Sequence, residues 1–220
     1  MSLQSPSLTT RRLETLSDGV IAIAATLLVL QFSRVNLRHG EGLFHALRDL
    51  WPSYMAYVVS FAVIGLIWVA HHTMFERISS VDRPLLFLNL ALLLGVAFIP
   101  WPTSVLADFI RDDNFNASVA TAFYSFTMTL IGLVFVAMWV HLVRHPERTI
   151  ESVTRVQLQR SLRLASVSPI VYGATIGLAF LSPYLCLVIY VLLAVYFARG
   201  PSARGLLTTS ENKAETDDQR

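Results

Sequence analysis

"RLETLSDGVIAIAATLLVL", Arg12 to Leu30, is the stretch on which the fold turns. Its second half is apolar enough to lie in lipid, while its first half carries Arg12, Glu14, Ser17 and Asp18. Charged groups on a membrane-spanning helix are costly, so they face protein or water rather than acyl chains. On a helical wheel with Ile23 at zero, Leu27 falls near 40°, Leu30 near −20° and Leu16 near 20°, with Gly19 at about −40° and Thr26 at about −60°. Asp18 lies near 220° and Glu14 near 180° on the same wheel. The helix thus has a continuous aliphatic stripe and an opposed polar side near one end. By itself, such a stripe packs against other helices or lipid, or lines an interior surface of an assembly.

The rest of the chain has the same membrane character. Of its 220 residues, 54% are hydrophobic and 15% charged, with a mean hydropathy of +0.56; a soluble domain carries about 25% charged residues. Six apolar segments approach the roughly 20 residues that span a bilayer: Leu13–Phe32, Tyr54–Phe75, Leu85–Leu106, Val119–Val143, Leu162–Leu181 and Tyr184–Ala198. The expectation is an all-α integral membrane protein, with residues 1–200 forming a six-helix transmembrane domain and 201–220 a disordered polar tail. "PWP" at Pro100–Pro102 predicts a kink or stop, and "SP" at Ser182–Pro183 a tight hairpin. The first apolar run follows Arg11 and Arg12 and leads into a polytopic pattern, so no cleavable signal peptide is expected. Cys186 stands alone, which excludes an internal disulfide or a cysteine-rich metal site.

Basic residues set the orientation. Thirteen fall at the N-terminus, the second and fourth loops and the C-terminus, against Arg34, Arg38, Arg48 and Arg111 on the other side. The positive-inside rule then places both termini in the cytoplasm of a multi-pass protein of the cell (inner) membrane. The basic fourth loop, "RHPERTIESVTRVQLQRSLR", suits the anionic leaflet rather than nucleic acid. The second segment ends in "WVAHHTMF", with Trp68, His71 and His72 about one turn apart. At that depth they meet the polar side of the first helix. Arg12, Ser17, Asp18 and Trp68, with His71 or His72, are therefore expected to form a structural clamp that fixes the helix's rotation.

These motifs resemble those of the endolysosomal potassium channel family and its shorter prokaryotic relatives. "RLETLSDG" resembles the family's Arg-x-x-x-Phe-Ser-Asp-Gly signature, with Leu16 in place of Phe, and "WVAHHTMF" and "FIPWPTS" resemble its second- and third-helix patterns. The resemblance implies a homotetramer in which the first helices line a central pore. Carried over, Ile23, Leu27 and Leu30 form stacked hydrophobic rings, with Thr26 close to the innermost constriction. It implies a potassium-permeable cation channel with modest preference for K+ over Na+, needing no cofactor, whose partners are its own copies, membrane lipids, K+ and other monovalent cations.

A ring of branched side chains blocks ions by dewetting when narrow and passes partly dehydrated ions when slightly wider. Potassium sheds water at lower cost than sodium, so a tight neck favours it without a TVGYG filter, which the chain lacks. Two readings compete. A secondary transporter predicts internal repeats and broken helices, of which only Pro100–Pro102 is a trace. Proton conduction stays open because histidine titrates near neutral pH. No H-E-x-x-H, G-x-S-x-G or phosphate loop occurs, so neither a catalytic residue nor a metal site is expected.

Overall fold

The computed structural model describes residues 8–32, 42–111 and 115–199. The expected disordered tail, 201–220, and the loop arginines Arg34 and Arg38 lie outside the described residues. Among the described residues eight α-helices follow one another: α1 (Leu8–Leu27), α2 (Leu43–Asp49), α3 (Trp51–Phe75), α4 (Arg83–Phe98), α5 (Pro100–Phe109), α6 (Phe115–Arg144), α7 (Arg155–Leu178) and α8 (Pro183–Ala198). A tighter 3₁₀ stretch, Leu28–Phe32, carries α1 to its end. The helix boundaries follow from local chemistry. Asp82 caps α4 by accepting from the Leu85 N–H, and Pro100 begins α5 where α4 stops. Ser182 caps α8 just ahead of Pro183.

Four helical stretches are long and apolar enough to cross a membrane: Thr10–Leu30, Trp51–Phe75, Arg83–Phe109 and Phe115–Arg144. The expectation of six spans is thus met for four among the described residues. The apolar α8 has 16 residues, about 24 Å at 1.5 Å per residue, against a hydrocarbon core of about 30 Å. In α7 the difference is one of boundary. The apolar pattern places the start of this segment at Leu162, but Thr154 and Gln157 form a capping box that starts the helix at Arg155. Arg155, Arg160 and Arg163 therefore belong to a helix continuous with the apolar segment, and the loop expected to lie on the lipid surface shortens to 145–154. The first loop also holds the short α2, which the sequence pattern did not suggest.

The helices pack with α1 against α3 and α4, α5 against α3 and α6, α6 against α7, and α8 against α3 and α7. Lipid tails are as apolar as leucine, so close approach and interhelical hydrogen bonds hold such a bundle. Both are present. A Cβ added at Gly132 of α6 would lie 2.9 Å from Pro169 Cδ of α7. Ser60 Oγ lies 3.0 Å from Thr103 Oγ1 and 3.2 Å from Tyr124 Oη, joining α3, α5 and α6. The buried Ser125 hydroxyl meets Thr175 Oγ1 at 3.0 Å and the Tyr190 hydroxyl, joining α6, α7 and α8.

At the arginine-rich end, one carboxylate ties several segments together. Besides capping α4, Asp82 Oδ2 lies 3.0 Å from His141 Nε2 of α6 and 3.7 Å from Arg148 Nε. The Arg148 carbonyl accepts from the Ser79 N–H at 2.8 Å, and the Ile150 N–H donates to the Arg77 carbonyl at 3.0 Å. Partial burial works against ionisation of Asp82, but the Leu85 N–H, the His141 ring and the Arg148 guanidinium outweigh it and hold the carboxyl below its usual range. Because the folded carboxyl titrates below its unfolded value, its contribution to stability is complete above the usual aspartate pKa of about 3.9 and is lost as pH falls further. Asp82→Asn keeps a capping oxygen and removes the charge. Its unfolding temperature should lie below wild type at pH 7, and the gap should narrow once acid has neutralised the native carboxyl. An equal gap at neutral and acid pH would show that the charge does not matter here.

Candidate functional site

The two faces of α1 have opposite fates. Leu13, Ser17, Ile21, Ala24 and Leu28 are buried against α3 and α4. Ile23 (60% exposed), Leu27 (41%) and Leu30 (61%) point out of the subunit, continuous with Leu16 (49%). Among the described residues, no helix of the same subunit covers this stripe. Thr26 is exposed beside it, and its hydroxyl donates to the Ile23 carbonyl at 2.8 Å. With its hydrogen committed to the backbone, the Thr26 oxygen offers only lone pairs outward.

The buried face is held by a directional chain of hydrogen bonds. Ser17 Oγ donates to the Leu13 carbonyl at 2.8 Å and accepts from Asn89 Nδ2 at 3.0 Å. Asn89 Oδ1 in turn accepts from His71 Nε2 at 2.9 Å. The bond polarities agree throughout when His71 Nε2 carries the hydrogen, an assignment that follows from the network. Ser17, His71 and Asn89 are all 0% exposed, and the His71 ring stacks on Phe75 at 4.2 Å. His71 Nδ1 is buried without a partner.

A second, more exposed pair of contacts joins the same helices. Trp68 Nε1 donates to Asp18 Oδ1 at 2.9 Å. One turn further along, His72 Nδ1 lies 3.4 Å from Glu14 Oε1 and its Nε2 lies 3.5 Å from Glu76 Oε1. Trp68 and His72 stack with ring centres 5.8 Å apart. The two histidines therefore have separate tasks: His71 reaches Ser17 through Asn89, and His72 meets Glu14. Arg12 does not join them. It is exposed, as the wheel position of a residue one turn before Leu16 requires, and makes no ion pair with Asp18 among the described residues. Sequence reasoning missed Asn89 and the pairing of Glu14. Asn89 had a signal, as the lone polar side chain within "PLLFLNLALLLGV".

Four similarities to known proteins bear on this arrangement. The family profile described as "Endosomal/lysosomal potassium channel TMEM175" matches residues 12–100, which take in most of α1 and all of α2, α3 and α4. A protein of Streptomyces collinus named a potassium channel is 44% identical over 84% of this chain and 90% of its own length. The crystal structure of a lysosomal potassium-selective channel TMEM175 homolog from Chamaesiphon minutus superposes with a TM-score of 0.77 at 34% identity, covering 86% of this chain and 96% of that one. A human protein named an endosomal/lysosomal proton channel is 33% identical over 66% of this chain, which spans 30% of the human length.

The geometry ranks the residues that hold α1. Asn89→Leu keeps the side-chain volume but leaves the buried His71 Nε2 without its partner and Ser17 with only its bond to the Leu13 carbonyl, at about 1–3 kcal/mol for the unsatisfied group. Asp18→Ala removes one bond from a half-exposed indole and should cost less. Thermal unfolding of the detergent-solubilised variants tests this order, and a larger loss for Asp18→Ala would move the anchor to the carboxylate pairs.

Proposed function

The chain belongs to the TMEM175 channel family, and on that premise we propose that it is a potassium-permeable cation channel whose conduction path is lined by α1 of several copies. One observation carries this reading: the aliphatic stripe of Ile23, Leu27 and Leu30 is exposed on a helix whose opposite face is pinned by buried hydrogen bonds. One stripe per chain cannot enclose a pore, and closed symmetry supplies the other walls. Four copies are the assembly proposed, in the cell membrane with both termini cytoplasmic and α7 and α8 as the fifth and sixth crossings. Native mass spectrometry should give four times the 24.6 kDa chain; a conducting monomer would end this part of the reading.

In such a pore, each of Ile23, Leu27 and Leu30 forms a ring whose width sets wetting. The neck passes cations that shed part of their hydration, which favours K+ over Na+ modestly. The outward lone pairs of Thr26 offset part of the lost hydration, and no bound cofactor is needed. Asp18, turned towards Trp68, serves rotation rather than ion contact. The family is one of ion channels, not enzymes, and no reaction is assigned.

Ile23→Asn places amides in the neck and keeps it hydrated, so flux through liposomes should rise while K+ preference over Na+ falls. Thr26→Val leaves the neck apolar but removes the oxygens, so flux and preference should both fall. If the stripe faces lipid instead, Ile23→Asn exposes a polar group to acyl chains and creates no new current. Unchanged flux and selectivity in both variants, normalised to assembled protein, would remove α1 from the path.

A proton-conducting reading draws on the unpartnered His71 Nδ1. The same liposomes, loaded with a pH dye, separate it: with valinomycin carrying the compensating K+ outward, acidification faster than in protein-free liposomes favours protons.

A further inference from the structure

A groove of about 560 Å³ opens on the bundle between α3, α6, α7 and α8, within the range of about 300–1,000 Å³ typical of small-molecule sites. Its walls are apolar for most of its length, with Val63, Ile67, Ile131, Phe135, Ala165 and Leu193 facing the space. They change character at one end, where α3, α6 and α8 finish and α7 begins. There Trp139, Ser161 and Arg199 line the mouth. Arg77 sits at its rim, with Nη1 donating to Ser161 Oγ at 2.8 Å and its guanidinium carbon 5.8 Å from the Trp139 ring centre.

Arg77 and Arg199 form no salt bridge among the described residues, although Glu76 adjoins Arg77. Burial disfavours the charged form of Arg77, and Glu76 offsets this only in part. A partly buried guanidinium without a carboxylate favours an external anion, and its planar fork suits phosphate. An apolar cleft that ends in one partly buried and one exposed arginine, at the bundle end nearest the headgroups, matches an amphiphile with one negative end.

We propose that this groove binds an anionic phospholipid, with an acyl chain in the apolar cleft and the phosphate held against Arg199 and Arg77. The site is separate from the stripe on α1 and does not depend on the ion path proposed for it. Charge complementarity selects this occupant: a neutral or zwitterionic lipid fills the cleft equally well but leaves the arginines less fully compensated.

Native mass spectrometry of the purified protein, titrated with phosphatidylglycerol or with phosphatidylcholine of identical chains, tests the proposal. Wild type should retain the anionic lipid about tenfold better, the equivalent of one good charge-assisted contact. Arg199→Gln lies in the exposed last turn and should lose most of that preference while keeping its binding of phosphatidylcholine. Ala165→Trp fills the cleft and should lower retention of both lipids about tenfold. If Ala165→Trp does not assemble, Ala165→Leu on the same wall takes its place. Equal retention of the two lipids by wild type overturns the proposal, as does unchanged phosphatidylglycerol retention in both variants. Absence of lipid from wild type, with assembly lost on filling the cleft, also overturns it and assigns the groove to a second copy of the chain.

Discussion

The fold depends on one buried hydrogen-bond chain, from His71 through Asn89 to Ser17 and the Leu13 carbonyl. In a bilayer, packing alone leaves a helix nearly free to rotate, because every face of an apolar helix is equally content among acyl chains. Polar groups remove that freedom. Each must meet its partner in a medium that offers no water, and a rotation of α1 by one residue would carry Ser17 away from Asn89 and leave the buried Asn89 amide hydrogens without that acceptor. The direction of α1's outward stripe is therefore a consequence of Asn89, a residue on another helix.

The same constraint explains why the carboxylates sit where they do. Asp18 and Glu14 are one turn apart on α1, and Trp68 and His72 are one turn apart on α3, so the two helices meet as a ladder of two rungs. These contacts are half-exposed and weaker than the buried chain, which suits a helix end where water is close. The apolar stripe begins beyond them. Charge is thus confined to one side and one depth of α1, leaving the proposed ion path lined by side chains with no fixed charge.

At the arginine-rich end of the bundle, arginines serve two different tasks. Arg148 is drawn into the structure by Asp82 and by backbone bonds that tie the α6–α7 loop to the end of α3. Among the described residues, Arg77 and Arg199 form no salt bridge and stand beside an apolar groove. The contrast comes from the supply of acids: Asp82 is already shared among the Leu85 N–H, His141 and Arg148.

The sequence by itself determined the all-helical membrane character, the break at Pro100, the stop at Ser182–Pro183 and the two-faced nature of α1. All of these follow from local causes, namely proline's missing donor, a capping side chain and the 3.6-residue period. The resemblance that places the chain in its family was also legible, in residues of α1 and α3 that fall within the matched region. The sequence did not show that Asn89 lies between His71 and Ser17, that Glu14 rather than Arg12 engages a histidine, or that Arg77 reaches Ser161 across 84 positions of chain. Each joins helices distant in sequence, and helical period says which face a residue occupies but not which neighbour that face meets. Only the tertiary packing decided those partners, because a buried polar group is satisfied by whatever lies within 3 Å of it, however far away along the chain.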